Sequence, residues 1–274
     1  MSTLKALIAV KADLASSIAI RYACQLAELT GLRLQTLYVV KPDQQGHTHT
    51  PGTGWVRETW EDAMVLKGRD SIAQLIQAEK ITCPGLGNPK MVAGKRDMEI
   101  LHELQVSDYD LFTEGILHAF EPANFLKKVH SRLYRNLPCP VLMVKNLVGL
   151  EKGILALGED SDMQSCVSVF LKLFEGVEVD LDILCCRFQD TGGAAGRGPS
   201  SRSEAGLRAA EKMLSEKGCS PRASRVVQGV SDSLDRSLRD YGLVLSSLSR
   251  ENIEKSPIVD LLSRTPSPVL IGWH

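Results

Sequence analysis

The chain has 274 residues, which is enough for one large domain or for two domains of ordinary size. Its net charge of −1 and its isoelectric point near 6.6 lack the excess positive charge that a nucleic-acid-binding surface needs. Hydrophobic residues make up 43% of the chain, yet no apolar run approaches membrane-spanning length, so we predict neither a nucleic-acid nor a membrane partner.

The N-terminus and the cysteines both predict a cytoplasmic location. Residues 1–12 lack the charged start, the long apolar stretch and the cleavage site of a signal peptide. The seven cysteines are Cys24, Cys83, Cys139, Cys166, Cys185, Cys186 and Cys219. Their number is odd, none has CxxC spacing, and most lie in apolar runs, where a reduced cysteine packs as a small hydrophobe. We therefore expect neither a disulfide scaffold nor a zinc site.

In chain order, residues 1–147 alternate between strand and helix patterns. Short unbroken apolar runs indicate buried strands, and apolar residues spaced by threes and fours indicate helices. The predicted strands lie at 4–10, 34–40, 90–93, 108–112 and 141–144. The predicted helices lie at about 18–30 and 58–79, between the third and fourth strands, and before residue 137. A polar, glycine-bearing segment at 42–52 is expected to be a mobile loop.

Residues 148–274 repeat this order. The predicted strands lie at 151–157, 177–185, 224–228, 240–245 and 269–272, and the first two helices lie at about 167–174 and 203–217. A second polar segment, 189–201, takes the place of the first. Each half ends with Pro-x-Pro directly before an apolar run, at 138–144 and 266–272. Because proline has no amide donor, it suits the start of a strand and not its middle.

Two copies of the order βαβαβαβαβ predict an α/β protein with two tandem, doubly wound, parallel five-stranded sheets. We place the domains at 1–147 and 148–274. The link at 146–150 is short, so the domains should pack together. Glu178, Asp180 and Asp182 alternate along one predicted strand and share a face. We expect that face to be partly exposed or to meet basic residues of the other domain.

The chain resembles a tandem universal stress protein over both halves. Three features carry the resemblance: the opening strand, the ending at 138–144, and the sequence Asp-x-x-Leu at strand four. Asp-x-x-Leu begins at Asp108 in the first half and at Asp240 in the second. It implies an adenine nucleotide alpha hydrolase-like fold, a role in the stress response, and domains that pair through their last strands. In nucleotide-binding members, an aspartate after strand one meets adenine and a Gly-x2-Gly-x9-Gly-Ser/Thr loop wraps the phosphates.

The adenine position of that site is changed in both halves. The strand-one aspartate falls on Lys11 in the first half and on Gly158 in the second. Asp13 and Asp160 stand two residues further on and could compensate for its loss. Aspartate so often caps a helix that we favour helix capping for both.

The phosphate loop of the first half is also changed. Gly115 matches its first glycine, His118 replaces the second, and Lys127 and Lys128 stand where Gly-Ser belongs, after a spacer one residue short. Lysine can neutralise a phosphate as a point charge, but a side chain at a close-approach glycine usually blocks the ligand. We favour solvated lysines at the start of a helix, and an exposed or capping His118.

In the second half the loop has lost about four residues of its spacer. Ser246 and Ser249 replace the glycines, and Lys255 and Ser256 replace Gly-Ser. The remaining candidates from the resemblance lie at the ends of strands two and three, namely Val40, Gly94 and Gly229.

No catalytic motif accompanies these remnants. The chain has no nucleophile elbow, Walker loop or HExxH sequence, and no Cys, Asp or Glu stands at ligand spacing from His47 and His49, so we expect no enzyme and no metal. We predict a non-enzymatic stress-response or regulatory protein without a cofactor, with internally paired domains and an unknown protein partner. A further homodimer stays open. The alternative is an ATP-binding switch or weak ATPase that uses a remodelled pocket in the first domain.

Overall fold

The computed structural model describes residues 3–40, 70–116, 122–188 and 201–274. Their strands form one ten-stranded sheet in the order β3-β2-β1-β4-β5-β10-β9-β6-β7-β8. All neighbouring strands run parallel except β5 and β10, which are antiparallel, with Met143 opposite Val269 and Val141 opposite Ile271. The predicted α/β class with parallel strands is confirmed, and the two five-stranded halves form one continuous sheet.

The first half contains five strands and five helices in the described residues. They are β1 (Lys5–Val10), α1 (Leu14–Thr30), β2 (Arg33–Val40), α2 (70–79), β3 (Lys90–Ala93), α3 (Arg96–Val106), β4 (Leu111–Gly115), α4 (Pro122–Val129), α5 (Arg132–Arg135) and β5 (Val141–Val144). The predicted loop at 42–52, residues 58–69 of the predicted second helix, and His47, His49 and His118 lie outside the described residues.

The second half repeats the order. Its elements are β6 (Lys152–Leu157), α6 (Met163–Leu173), β7 (Asp180–Phe188), α7 (Ser201–Ser215), β8 (Ala223–Gly229), α8 (Ser231–Leu234), β9 (Leu243–Leu248), α9 (Pro257–Arg264) and β10 (Val269–Trp273), with 3-10 turns at Asp235–Leu238 and Ile253–Lys255. Residues 189–200 of the loop predicted at 189–201 lie outside the described residues, and Ser201 begins α7. No helix in the described part of the chain is long and apolar enough to cross a membrane.

The repeated prolines begin β5 and β10, as predicted. Pro140 and Pro268 directly precede the two strands, and their carbonyl groups accept hydrogen bonds from the amides of Phe112 and Val244 at 2.9 Å each. Each proline therefore joins the sheet through its acceptor alone, which is the only backbone hydrogen-bonding group it has.

Three strands begin three residues later than predicted. Strand four begins at Leu111 and Leu243 rather than at 108 and 240, and β7 begins at Asp180 rather than at 177. The apolar run marks the buried centre of a strand, but backbone pairing sets its ends.

Because β7 begins at Asp180, Glu178 lies before the strand, and only Asp180 and Asp182 of the three predicted carboxylates share its face. Asp180 pairs with Arg222 at 3.2 Å, and Asp182 accepts hydrogen bonds from the Ala223 amide and the Tyr241 hydroxyl. The basic residue that meets this face belongs to the same half. The face is partly exposed, as one of the two expectations stated, since the Asp180 side chain is 58% exposed. The alternative, that basic residues of the other domain meet this face, was wrong.

A disulfide joins Cys24 in α1 to Cys83, which follows α2. This corrects the expectation that the cysteines pack as reduced thiols, because the packing of α1 beside α2 brings together two buried cysteines 59 residues apart. Among the others, Cys185 and Cys186 lie on opposite faces of the sheet, as strand alternation predicts.

The sheet is covered on both faces. Ile8 and the other even-numbered residues of β1 belong to the core layer that also contains residues of α1, α2, α6 and α7. Leu7 and Ala9 belong to the opposite layer, with residues of α3, α4, α5 and α9. Each helical layer runs across both halves. Both faces of the central strands are therefore buried, as expected of a doubly wound sheet.

Candidate functional site

A cleft of about 560 Å³ lies at the carboxyl ends of β1 and β4 in the first half. Open parallel sheets place ligands at such an edge. The titratable groups that line it are Lys11, Asp13, Arg96, Asp97, Glu114, Lys127, Lys128 and Tyr134. Of the predicted residues, the structure brings Lys11, Asp13, Gly115, Lys127 and Lys128 together here.

Glu114 is the centre of this cleft. It is the fourth residue of β4 and only 3% exposed. Its Oε1 accepts from Arg96 Nη2 at 2.5 Å, and its Oε2 accepts from Lys128 Nζ at 2.5 Å and from the Tyr134 hydroxyl at 2.6 Å. The three donors come from α3, α4 and α5, so one carboxylate holds three helices against the end of the sheet.

Burial and the neighbouring charges shift the pKa values of Glu114, Lys128 and Tyr134. Burial raises the pKa of Glu114, but the opposing charges of Lys128 and Arg96 outweigh burial and hold that pKa below its usual range. Burial lowers the pKa of Lys128, and burial with the Glu114 charge raises the pKa of the Tyr134 hydroxyl well above its usual range. At neutral pH the Glu114 carboxylate is therefore ionised.

Asp13 caps α1, as predicted. Its carboxylate accepts from the Ser16 amide at 2.9 Å and from the Ser16 hydroxyl at 2.7 Å. The Ser16 hydroxyl in turn accepts from the Lys11 amide at 2.8 Å. The Asp13 carboxylate is therefore used within the helix start, although the residue lies at the cleft and is exposed.

Lys127 and Lys128 lie in the last turn of α4, not at the start of a helix. The expectation of solvated lysines is wrong for Lys128, which is paired with buried Glu114 and lies 5.8 Å from the centre of the Tyr134 ring. Lys127 is exposed. The sequence could not separate the two, because their different roles depend on which face of α4 meets β4.

Gly115 has a packing role. A Cβ atom at this position would lie 2.0 Å from the backbone oxygen of Ala15 in α1. The missing side chain therefore lets the start of α1 approach the end of β4. This close approach explains the glycine without any phosphate ligand.

We expect Gly115→Ala to lower the free energy of unfolding by about 2 kcal/mol, because the first turn of α1 must move away from β4. Urea denaturation followed by circular dichroism measures the change. Gly85→Ala is the matched control, since nothing lies within 4 Å of its Cβ position. Equal stability of the two variants would contradict the packing role.

Val40 and Gly94 do not line the cleft. The Gly94 amide donates to the Val40 carbonyl at 3.0 Å, which joins the ends of β2 and β3. A Cβ at Gly94 would lie 2.3 Å from the Glu99 side chain, and one at Gly229 would lie 2.6 Å from Ser233 Oγ. Both glycines therefore make room for the helix that follows them.

The corresponding position in the second half is filled by α9. A Cβ at Gly158 would lie 3.1 Å from the Cβ of Ile258, so this glycine and the start of α9 are in close contact. Asp160 is exposed and does not cap α6, since Asp162 accepts from the Gln164 amide at 3.1 Å instead. The capping prediction was right for Asp13 and wrong for Asp160, because α6 begins two residues later than the repeat implies.

The strand register corrects the alignment of the second loop by one residue. Val141 pairs with Phe112 and Val269 pairs with Val244, so Glu114 corresponds to Ser246 and Gly115 corresponds to Ser247. The Ser246 hydroxyl donates to the Ala156 carbonyl at 2.7 Å. A neutral, internally bonded hydroxyl thus stands in place of the buried carboxylate.

Among the other candidates of the second half, Ser249 takes part in a turn, whereas the buried Ser256 hydroxyl has no hydrogen-bond partner in the described residues. Ser249 Oγ accepts from the Asn252 amide at 3.4 Å, and Ser256, which is buried, directly precedes α9. Lys255 ends a 3-10 turn, and its side chain lies outside the described residues. No group of three His, Cys, Asp or Glu residues that could hold a metal occurs in the described ranges.

Sequence reasoning missed Glu114, Arg96 and Tyr134. One local signal existed, since Glu114 stands two residues after the apolar pair Leu111–Phe112 in the same strand, where a buried carboxylate is rare. Arg96 and Tyr134 carried no such signal, because arginine and tyrosine are ordinary residues of helices. Only the packing of α3 and α5 brings them to the carboxylate.

No protein-family model and no curated protein matches the chain. Among solved structures, a universal stress protein from Archaeoglobus fulgidus DSM 4304 has a TM-score of 0.66 at 14% identity, with 98% of this chain and 96% of that chain covered. A candidate universal stress protein from Pseudomonas aeruginosa UCBPP-PA14 has a TM-score of 0.58 at 16% identity, with 99% and 94% covered. The chain therefore has the fold of universal stress proteins of two-domain length, as the resemblance implied.

Proposed function

We propose that the chain is a non-enzymatic stress-response or regulatory protein whose two universal-stress-like domains, 1–147 and 148–274, have lost the ATP sites of that family. The fold and its full-length likeness to universal stress proteins support the general role. The single observation that carries the loss of ATP binding is the buried Glu114 carboxylate in the first cleft. A protein of this kind acts through the surfaces that it presents to partners.

Glu114 opposes a phosphate ligand in two ways. Its negative charge would repel a phosphate group placed at the end of β4, and its burial leaves little water to screen that repulsion. It also takes up the charges of Arg96 and Lys128, the two cations that would otherwise meet a phosphate here. An ATP molecule would have to break these two ion pairs before its phosphates could pair with Arg96 and Lys128.

In the second half, the proposal rests on space rather than charge. Ile258 at the start of α9 packs against Gly158, where the resemblance implies an adenine contact. The Ser246 hydroxyl is bonded to a backbone carbonyl and carries no free donor for a phosphate. We infer that neither half takes up ATP in the manner of the nucleotide-binding members.

Calorimetric titration of the purified protein with Mg-ATP tests this proposal. We expect no binding up to millimolar ATP, and no adenine nucleotide in the supernatant after the protein is denatured. Binding with a dissociation constant in the micromolar range, or stoichiometric release of nucleotide, would contradict it.

The alternative function is an ATP-binding switch or weak ATPase in the first cleft. It is favoured by the volume of about 560 Å³ and by the exposed lysines Lys11 and Lys127 at its edge. Under this alternative, ATP binds and the paired substitution Lys127→Ala with Lys128→Ala abolishes binding. The calorimetric titration of both proteins therefore separates the two functions.

We further propose that the antiparallel pair of β5 and β10 is an internal counterpart of a dimer contact between two single domains. Each half then supplies the partner surface that a single-domain protein would find in a second copy. A homodimer of this chain through other faces, an unknown protein partner and a cytoplasmic location complete the proposal. Sedimentation of the purified protein measures the first of these directly.

A further inference from the structure

A groove of about 1260 Å³ lies where the two halves meet. One wall is the end of α1, with Gln25, Glu28 and Leu29. The other wall is the end of α6 with the turn that follows it, and the link at 149–151 lies between them. Because the walls come from different halves, the groove exists only in the joined molecule.

Apolar side chains of the groove are open to solvent. Leu29 is 44% exposed, and Leu171, Val177 and Val179 are partly buried while packing against the core. An apolar side chain of a partner placed here would extend the packing of the core. The groove thus offers apolar contact as well as charge.

The groove is strongly acidic compared with the chain as a whole. Its lining holds five carboxylates and two lysines, a net charge of −3, whereas the whole chain carries −1. Lys172 is engaged by Asp110 at 2.7 Å, and Asp180 is engaged by Arg222. The carboxylates without an ion pair in the described residues are Glu28, Glu151, Glu175 and Glu178. A ligand that brings cations would compensate them.

The wall formed by α1 also carries an unused acceptor. Gln25 Oε1 is buried, and no group in the described part of the chain donates a hydrogen bond to it. A buried acceptor without a partner is unfavourable, so a donor that reached it would stabilise the complex. Lysine and arginine are donors without acceptors, so they match this wall as well as the carboxylates.

We propose that this groove binds a basic, extended segment of a partner protein in which Lys or Arg residues alternate with apolar residues. Alternation places the cations toward the carboxylates and the apolar side chains toward Leu29 and Val179. The volume exceeds the range of about 300–1,000 Å³ typical of small-molecule sites, which favours a chain segment over a small polyamine. The inference rests on the proposed regulatory role, for which it names the kind of partner.

Fluorescence anisotropy of a labelled ten-residue peptide of alternating Lys and Leu tests the proposal. The protein is expected to bind it at low salt, and the double variant Glu175→Lys with Glu178→Lys to bind at least tenfold more weakly. Glu28→Lys, on the opposite wall, should weaken binding at least threefold. All three positions are exposed, so the variants should fold, which circular dichroism checks.

The matched control is Asp240→Lys with Glu251→Lys, which changes the net charge equally at exposed positions outside the groove. Its affinity should stay within twofold of the unchanged protein. Equal weakening by both pairs, or no binding by the unchanged protein, would overturn the proposal.

Two other occupants are distinguished by the same variants. If spermine binds in a manner that depends on Glu175 and Glu178 while the peptide does not bind, the groove takes a small polyamine and the proposal is wrong. If the unchanged protein forms a dimer that Glu175→Lys with Glu178→Lys dissociates, the occupant is a second copy and the proposal is again wrong. Neither result affects the ATP titration, so the inference can fail while the proposed loss of ATP binding stands.

Discussion

Replacing Glu114 by glutamine is expected to lower the free energy of unfolding by about 3 kcal/mol, since breaking a buried ion pair by removing one partner leaves the other charges uncompensated. Arg96 and Lys128 would face each other across a neutral amide, and their side chains are only 16% and 33% exposed. Glutamine has nearly the same shape, so the loss reports charge and not volume. Urea denaturation of both proteins at pH 7 measures it.

The surface pair Arg135–Glu254 supplies the control for this substitution. Its atoms lie 2.7 Å apart, close to the distances in the buried cluster, but the Glu254 side chain is 70% exposed. Glu254→Gln should lower the free energy of unfolding by at most about 1 kcal/mol, because water screens an exposed ion pair. If the two substitutions cost the same, the buried cluster has no special role in stability.

The difference between Glu114 and its glutamine variant should depend on pH in one direction. The folded pKa of Glu114 lies below the usual glutamate value of 4.5, so the carboxylate contributes stability above pH 4.5 and loses it as the pH falls through the folded pKa. The stability difference should therefore be constant from pH 5 to 7 and shrink at lower pH. A difference that instead grows as the pH falls from 7 toward 4.5, and then levels off, would show that the folded pKa is raised.

Gly242→Ala is expected to lower the free energy of unfolding by about 4 kcal/mol, more than Glu114→Gln does, because it disturbs the contact between the halves. A Cβ at Gly242 would lie 1.7 Å from the backbone oxygen of Gly149 in the link. Neither backbone can easily move, because the Gly242 amide donates to the Lys152 carbonyl at 2.9 Å and its carbonyl accepts from the Tyr22 hydroxyl at 2.7 Å. Clashes between two fixed backbones belong to the costly end of point substitutions.

Gly153→Ala is the control for this second substitution. Gly153 lies in β6, near the same junction, but its Cβ would meet only the Leu181 and Val179 side chains at 3.6 and 3.7 Å, which is ordinary contact. Its stability should stay within about 1 kcal/mol of the unchanged protein. Thermal denaturation of the two variants side by side measures the contrast, and a Gly242→Ala protein as stable as the control would refute the close contact.

The contact between the halves also uses two cations that sequence analysis did not single out. Lys145 Nζ donates to the carbonyls of Leu262, Ser263 and Thr265 at the end of α9, and burial lowers its pKa to about 7. Arg250 donates in the opposite direction, to the Arg135 and Leu137 carbonyls. Each half thus satisfies backbone carbonyls of the other.

Predictions that depended on local spacing mostly agree with the structure. The strand at Lys90–Ala93, the proline-led starts of β5 and β10, and the cap at Asp13 all follow from residues a few positions apart. Predictions that depended on where an element begins were less accurate. The late start of α6 moved its cap from Asp160 to Asp162, because a repeat that shares a fold need not share the length of its turns.

By itself, the sequence determined the class of fold and the presence of two copies of it. Strand and helix periodicity and the position of proline depend only on residues that are close together in the chain. The tertiary structure alone decided what stands at the end of each fourth strand. Glu114 meets Arg96, Lys128 and Tyr134 only because three helices converge on one strand, and Cys24 meets Cys83 only because α1 packs beside α2. Such contacts join residues far apart in the chain, and no spacing pattern in the sequence specifies their distances. The chemistry of the cleft could therefore be described only from the folded structure.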